Sequence, residues 1–502
     1  MYIEKNEDTI YAPATIPGTG AITVIRLSGH DALTIADRVV HTVRGAVGCV
    51  DCGENMETAF SGGSNYGGTL SKAPGYSLHF GQIFKGDGKL LDEVLVSVFR
   101  APRSYTGENS VEISCHASSY IFNEISSLLV RAGARLAEPG EFTRRAFLNG
   151  KMDLAQAEAV ADVIAAQNSA AHRVALNQMK GGFSSELQSM RAELLNIVSL
   201  MELELDFSEE DVEFADRVRL NVLLDEVLGH IGRLRNSFMA GNAIKNGIPV
   251  AIIGATNAGK STLLNALLGE DRAIVSDVHG TTRDTIEETM NIDGLLFRFI
   301  DTAGLRETSD AIEKAGIERS MKKLHEARVI LGVVDGSLPE DDIESSVGKI
   351  LMLADTATQK VFIVLNKSDL WVSDSDILSG NKNVIEHNKF ISSTDKQTYC
   401  LLSISASEKT GIEVLKRQIA ASQKDIISDS DAVLVTNLRH YEALSAASAA
   451  LSRVKDGLAT GIPTDLAAQD IREALNALGS ILGEISTDEV LGNIFSRFCI
   501  GK

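Results

Sequence analysis

Gly254-Ala255-Thr256-Asn257-Ala258-Gly259-Lys260-Ser261 stands between the apolar run Val250–Ile253 and the helical stretch Thr262–Leu268. The spacing is G-x-x-x-x-G-K-S, and the strand before it and the helix after it predict a phosphate-binding loop. Its glycines let backbone N–H groups turn inward around phosphate oxygens. Lys260 brings a point charge to the β and γ phosphates, and Ser261 offers a hydroxyl to Mg²⁺. Ala258 and Thr262 complete the residues expected around the triphosphate.

Outward from this loop, the apolar run Phe297–Ile300 is followed by Asp301-Thr302-Ala303-Gly304. There a carboxylate can hold magnesium's water and the Gly304 N–H can meet the γ-phosphate. The run Val361–Leu365 ends in Asn366-Lys367-Ser368-Asp369. Asp369 is placed to accept from both N1–H and the 2-amino group of guanine, a pair of donors adenine lacks, so the nucleotide is GTP. Ser405-Ala406-Ser407, after the run Leu401–Ile404, supports the base through its backbone. Gly280-Thr281-Thr282-Arg283-Asp284 lies where a segment must close over the γ-phosphate, with Thr282 as the second hydroxyl on Mg²⁺. Well-known small GTPases carry a Gln after Asp-x-x-Gly to orient water. Here that residue is Leu305, which cannot hydrogen-bond, so water is positioned otherwise. Asn257 adds a side-chain carbonyl close to the phosphates, where it could hold a monovalent cation in place of an arginine finger.

The chain has 502 residues, 44% hydrophobic and 23% charged, and a formal net charge of -20. That length predicts about two to four domains. An acidic surface repels phosphodiester backbones as a whole, so nucleic acid is met at a local basic patch or presented by another protein. Five scattered cysteines exclude a disulfide framework and fit a reducing cytoplasm. Cys49 and Cys52 form one C-x-x-C, with no second pair or nearby His to complete a zinc set. The start lacks a basic region followed by an apolar run, and no apolar run reaches the roughly eighteen residues of a membrane span. The expectation is a soluble protein that is not exported.

From 1 to 149, the runs Ile22–Leu27, Val94–Phe99 and Val111–Ser114 predict a β-containing domain, with a flexible surface insertion around 51–75. From 150 to 245 helices take over: Asp153 and Gln156 resemble a capping box, and Leu154, Ala157, Ala161 and Ile164 recur at helical spacing. The acidic run Glu202–Glu213 is interleaved with apolar residues and reads as a helix end and solvated loop rather than a metal site. From 246 to 427, Val250–Ile253, Phe297–Ile300, Val329–Val334, Val361–Leu365 and Leu401–Ile404 alternate with helical stretches, which predicts a parallel sheet flanked by helices. From 428 to 502 helical periodicity returns, with Ile471, Leu475, Leu478 and Leu482 on one face. The fold class is α/β and α+β multidomain, a P-loop GTPase domain inserted into a helical one.

The nucleotide strings, together with Gly18–Gly29 containing Arg26, Arg103–Glu108, Glu138–Lys151, Asp153–Glu158 and the tail Phe498-Cys499-Ile500-Gly501-Lys502, resemble the tRNA-modification GTPases of the MnmE (TrmE) family over nearly the whole chain. The resemblance implies a cytoplasmic homodimer with a folate-binding N-terminal dimerisation domain, a helical domain and an inserted G domain. It implies work with a flavin-dependent partner, MnmG (GidA), in a heterotetramer or larger complex, adding an aminomethyl or carboxymethylaminomethyl group to C5 of the wobble uridine of certain tRNAs. The one-carbon unit comes from 5-formyl- or 5,10-methylene-tetrahydrofolate, and potassium stimulates G-domain dimerisation. Asn257, Ser276, Val278 and Thr281 match the family's K⁺ site, Glu313 matches the glutamate that orients the attacking water, and Arg306 shares its segment. Arg26, Glu112, Lys151 and Lys502 fall at the family's folate positions. Cys499 is the family's tail cysteine, read either as a chemical group or as a small residue packing the tail.

Two departures stand out. Cys115-His116 runs into Ala117-Ser118-Ser119 where the family often has paired glycines, and Thr256 replaces a common Pro in the phosphate loop. Two other readings share part of the pattern. A ribosome- or RNA-assembly GTPase has the nucleotide strings without the Glu138–Lys151 string or tail, and normally adds a basic domain. A folate-binding scaffold would keep the GTPase only as a conformational switch.

Overall fold

The computed structural model describes residues 8–16, 18–43, 66–206, 217–269, 287–301, 323–371, 390–392, 398–423, 433–460, 462, 464–485, 488–496, 498 and 501. The chain forms two compact units, residues 1–161 with 476–502, and residues 162–475.

The first unit is built on an eight-stranded sheet: β1 Ile10–Pro13, β2 Ile22–Ser28, β3 Val40–Val43, β4 Tyr66–Gly68, β5 Ser77–Phe84, β6 Leu90–Phe99, β7 Ser110–His116 and β8 Arg135–Leu136. Their order is β4-β3-β5-β6-β7-β2-β1-β8. All neighbours are antiparallel except β1 and β8. Along β6, Val94, Val96 and Val98 are buried while Glu93 and Leu95 are exposed, the period-two signature of a sheet with one covered face. Helices Ala32–Val39 and Ser119–Ala132 cover that face with Ile35, Ile125 and Leu129. The runs expected at Ile22, Val94 and Val111 are therefore strands, although they are only three of the eight.

The stretch read as a flexible insertion joins the fold in part. Tyr66–Gly68 pairs with β3, Leu70 is buried, and the N–H groups of Leu70 and Ser71 donate to the Asp37 carboxylate. No run of alternating apolar residues announces this, because the anchors are Leu70 and Ala73 in the core, the Asp37 carboxylate, and the Arg100 guanidinium, which donates to the Ser71 and Ala73 carbonyls. Residues 44–65, with Cys49 and Cys52, lie outside the described residues.

The capping box is realised. Asp153 Oδ1 accepts from Gln156 N at 2.8 Å, and Gln156 Oε1 accepts from Asp153 N at 3.0 Å, at the start of helix Leu154–Ala165. Leu154 and Ala157 then pack with Leu491, Phe495 and Phe498 near the chain's end. Just beyond, Gly501 has φ +100°, and a Cβ there would lie 2.0 Å from the Pro13 carbonyl oxygen. Gly501→Ala is expected to cost about 1–3 kcal/mol. An unchanged melting temperature would show that the tail does not dock there.

The second unit carries a seven-stranded sheet: β9 Ile248–Gly254, β10 Glu287–Ile292, β11 Leu295–Asp301, β12 Val329–Asp335, β13 Lys360–Asn366, β14 Phe390–Ser392 and β15 Thr398–Ser403. The order is β10-β11-β9-β12-β13-β15-β14, parallel from β11 to β15, with antiparallel edge strands β10 and β14. The central strands read as unbroken apolar runs because both faces are covered. Val250, Ile252, Leu331 and Val333 enter one core, and Ala251, Ile253, Ile330 and Val334 the other.

Helix Arg217–Asn246 leads directly into β9. After the sheet the chain returns beside that helix, where Val435 N donates to Ser237 Oγ at 3.0 Å and Phe238 stacks on Tyr441 at 4.7 Å. The sheet is thus an insertion between helices. Ile471, Leu475, Leu478 and Leu482 are all buried, as their spacing predicts. The acidic run begins in helix Gly182–Asp206, and residues 207–213 lie outside the described residues. No helix among the described residues is long and apolar enough to cross a membrane.

Candidate functional site

The phosphate-loop string occupies the carboxyl end of the central strand β9, where parallel sheets place their ligands. It turns into helix Lys260–Leu268, whose first N–H groups have no helical partner and favour an anion. Gly259 has φ +95°, and a Cβ there would lie 2.2 Å from Asn366 Nδ2, so only glycine fits. Lys260 Nζ donates to the carbonyls of Gly254 and Ala255 at 2.9 and 2.8 Å. Asn257 is exposed at φ +63°. Ser261 and Thr262 are exposed on the first helical turn.

A cleft of about 580 Å³ joins this loop to the second string. One side is formed by Asn257, Gly259, Lys260, Ser261 and Thr262, and the other by Asn366, Lys367, Asp369, Leu370 and Ser407. Leu370 is a lining residue that sequence reasoning missed, since nothing in its type marks an exposed leucine as part of a site. Asn366 is buried and clamps the two sides: its Nδ2 donates to Ala258 O at 2.9 Å and its Oδ1 accepts from Ala406 N at 3.0 Å. The buried Ser405 hydroxyl donates to Asp369 Oδ1 at 2.5 Å and so aims that carboxylate.

Asp335, the last residue of β12, was also missed, because a single Asp after an apolar run has no motif. Its Oδ2 accepts from Lys367 Nζ at 2.5 Å and its Oδ1 from Ser337 N and Oγ at 3.0 and 2.6 Å. Burial pushes its carboxyl up, but the bonds from Lys367 and Ser337 outweigh that and hold it below the usual range. Asp301 ends β11 in register with Ile252. Ser276, Val278, Thr281, Thr282, Gly304, Arg306, Glu313, Cys499 and Lys502 lie outside the described residues.

In the first unit, Arg26 and Glu112 are cross-strand partners on β2 and β7, joined at 2.8 Å. The Arg26 guanidinium lies 5.5 Å from the Tyr105 ring centroid and 5.8 Å from that of Phe142. Lys151 Nζ donates to Pro102 O at 3.0 Å, on the loop that also carries Tyr105. The structure thus joins two of the four residues assigned to folate directly and ties the third to a neighbouring loop.

The Glu138–Lys151 string forms helix Glu141–Leu148 above a charged network. Buried Glu141 accepts from Arg135 at 2.6 Å and Arg145 at 3.0 Å, and Arg145 also reaches Asp8 and Glu108. At the departure from the family's pattern, His116 Nδ1 bonds the buried Asp92 at 2.7 Å. Burial, with the Asp92 charge, pushes the Cys115 thiol up to about 11, which keeps it protonated at neutral pH. Among the described residues no group of three or more His, Cys, Asp or Glu is placed to hold a metal.

The family described as MnmE helical domain matches residues 154–499, and that described as GTP-binding protein TrmE N-terminus matches residues 9–151. The chain is 50% identical over 498 residues to the tRNA modification GTPase MnmE of Bacteroides thetaiotaomicron, covering 99% of this chain and 100% of that one. Against the protein of the same name from Flavobacterium johnsoniae it is 47% identical over 498 residues, with the same coverage. Against that of Porphyromonas gingivalis it is 46% identical over 499 residues, covering 99% and 98%. Identity of this order along both chains from end to end leaves one assignment: the chain belongs to the tRNA modification GTPase MnmE family.

Proposed function

We propose that this chain hydrolyses GTP in the cleft between the phosphate loop and Asp369, and couples that cycle to modification of the wobble uridine of certain tRNAs. The observation that carries the reading is Asn366. One buried amide bonds a carbonyl of the phosphate loop and an N–H of the loop bearing Ser405, so groups suited to phosphate and groups suited to guanine face one cleft. Asp369, aimed by Ser405, accepts the guanine donors, and the start of helix Lys260–Leu268 with Lys260 receives the phosphates.

Ser261 offers a hard oxygen suited to Mg²⁺, and Asn257 an exposed amide oxygen suited to K⁺. When bound, these cations neutralise charge that develops on the transferring phosphoryl group. With Leu305 in place of a water-orienting Gln, hydrolysis in KCl is expected to exceed that in NaCl by about tenfold or more. Equal rates would remove the cation from the reaction. Glu313→Ala is expected to keep nucleotide binding and slow turnover by more than about tenfold, and unchanged turnover would reassign that carboxylate to structure.

In the N-terminal region, assigned to residues 1–149, Arg26, Glu112 and the Tyr105 ring supply the cation, carboxylate and flat aromatic surface that a tetrahydrofolate derivative uses. The proposed helical domain comprises 150–245 and 428–502, with the G domain at 246–427. The reaction adds an aminomethyl or carboxymethylaminomethyl group to C5, in a homodimer working with a flavin-dependent MnmG (GidA) family partner. Mass spectrometry of tRNA nucleosides, after incubation with that partner, GTP, K⁺ and a folate, tests it. Wobble uridine left unmodified, with GTP consumed, would favour the folate-binding scaffold with a regulatory switch.

A further inference from the structure

We propose that Asp335 is a positioning residue of the nucleotide cleft: it ties down the Lys367 ammonium, so that the methylene stem of the lysine stands as a wall for the purine. The proposal rests on the guanosine reading above and adds to it a residue from a different strand.

β12 and β13 end in register, with Asp335 opposite Asn366, and Gly336 N donates to Asn366 O at 2.9 Å. The carboxylate of one strand's last residue therefore arrives beside the first loop residue of the next. Both its oxygens are committed, Oδ1 to Ser337 and Oδ2 to Lys367, so the group cannot rotate away without losing a bond. The Asp335 side chain is only 17% exposed and that of Lys367 32%, which makes the pair less screened than a surface ion pair. Lys367 itself sits at φ +65°, a conformation rare for a residue with a side chain.

Lys367 lines the cleft, whereas its charged end is held by Asp335, which does not line it. A lysine arranged this way presents its stem to the ligand and keeps its charge elsewhere. Released from Asp335, the ammonium would sweep through many rotamers, and ordering it again would oppose binding. It would also become a second cation beside Lys260, drawn toward the phosphates rather than flanking the base.

A purely structural role for Asp335 is the competing account, because Ser337 N bonding to Oδ1 is an Asx-type turn. Asp335→Asn separates the two, since the amide oxygen can still accept from Ser337 while the charge that holds Lys367 is gone. Trp371, the chain's sole tryptophan, packs so closely on Gly336 that a Cβ there would lie 2.5 Å from its Nε1. Its fluorescence is the readout for titrating GDP into the full chain, with calorimetry as a second measurement.

Asp335→Asn is expected to weaken GDP by about tenfold with little change in melting temperature. Lys367→Met keeps the stem and removes the charge, and in that background Asp335→Asn is expected to change affinity by less than about twofold. Full-strength GDP binding by Asp335→Asn overturns the proposal. An equal loss in the Lys367→Met background also overturns it, by assigning Asp335 to the turn. A wild-type chain that binds no guanosine nucleotide sinks the underlying reading instead.

Discussion

Asp369→Asn is expected to weaken GDP binding by about a hundredfold or more and to create affinity for xanthosine diphosphate. Guanine presents two donors, N1–H and the 2-amino group, to a carboxylate that only accepts. An amide in the same place keeps one acceptor and turns a donor toward the 2-amino group, so two donors face each other without a partner. Xanthine carries a carbonyl where guanine has that amino group, and its donor–acceptor edge matches the amide. Ser405 Oγ, which donates to Oδ1 at 2.5 Å, can hold the amide oxygen as it holds the carboxylate, so the edge stays aimed into the cleft. Titration of both diphosphates into the variant checks the expectation. GDP affinity within twofold of wild type would mean that Asp369 does not touch the base.

The second large effect lies in the other unit. Glu141→Gln is expected to destabilise the fold by about 3 kcal/mol, because it breaks a buried charge network without relieving the cations. Glu141 is 4% exposed and receives Arg135, Arg145 and the backbone N–H of Glu138. Gln keeps the shape but turns N–H donors toward two guanidinium groups, and Arg145 has a side chain only 6% exposed. Asp8 and Glu108 remain as partial partners, which keeps the loss near the lower end for a buried pair.

The network also sets a pH dependence. Burial raises the Glu141 carboxyl, but the bonds from Arg135, Glu138 and Arg145 outweigh it and leave the folded value below the ordinary one. A depressed folded value means the stabilisation is fully present above the unfolded pKa of about 4.3 and is lost as pH falls through the folded value. Denaturant unfolding of the full chain should show wild type losing its advantage over Glu141→Gln as pH drops from neutral into that range. A constant difference between the two would assign the effect to packing rather than charge.

The two experiments address parts of the molecule that differ in how legible they were. In the nucleotide cleft, every group expected to touch phosphate or base and lying among the described residues occurs in a short contiguous string, because a loop at a strand end must place its atoms within a few residues of one another. In the first unit, Arg26 and Glu112 are 86 residues apart, and no local pattern marks them as a bonded pair. Five of that unit's eight strands also went unread. Several are only two to four residues long, and β5, though longer, carries no clear apolar alternation.

Period and spacing alone determined the parallel sheet, the helical layers around it and the loop at the end of β9. Those follow from interactions over one to four residues, which the order of side chains already contains. Tertiary structure decided that Asn366 clamps two loops, that Asp335 holds Lys367, and that Glu141 lies in a buried cluster of charges. Each of these depends on which strand ends and helix faces pack side by side. That arrangement is set by burying the apolar surface of whole elements, and it brings together polar groups that are remote along the chain.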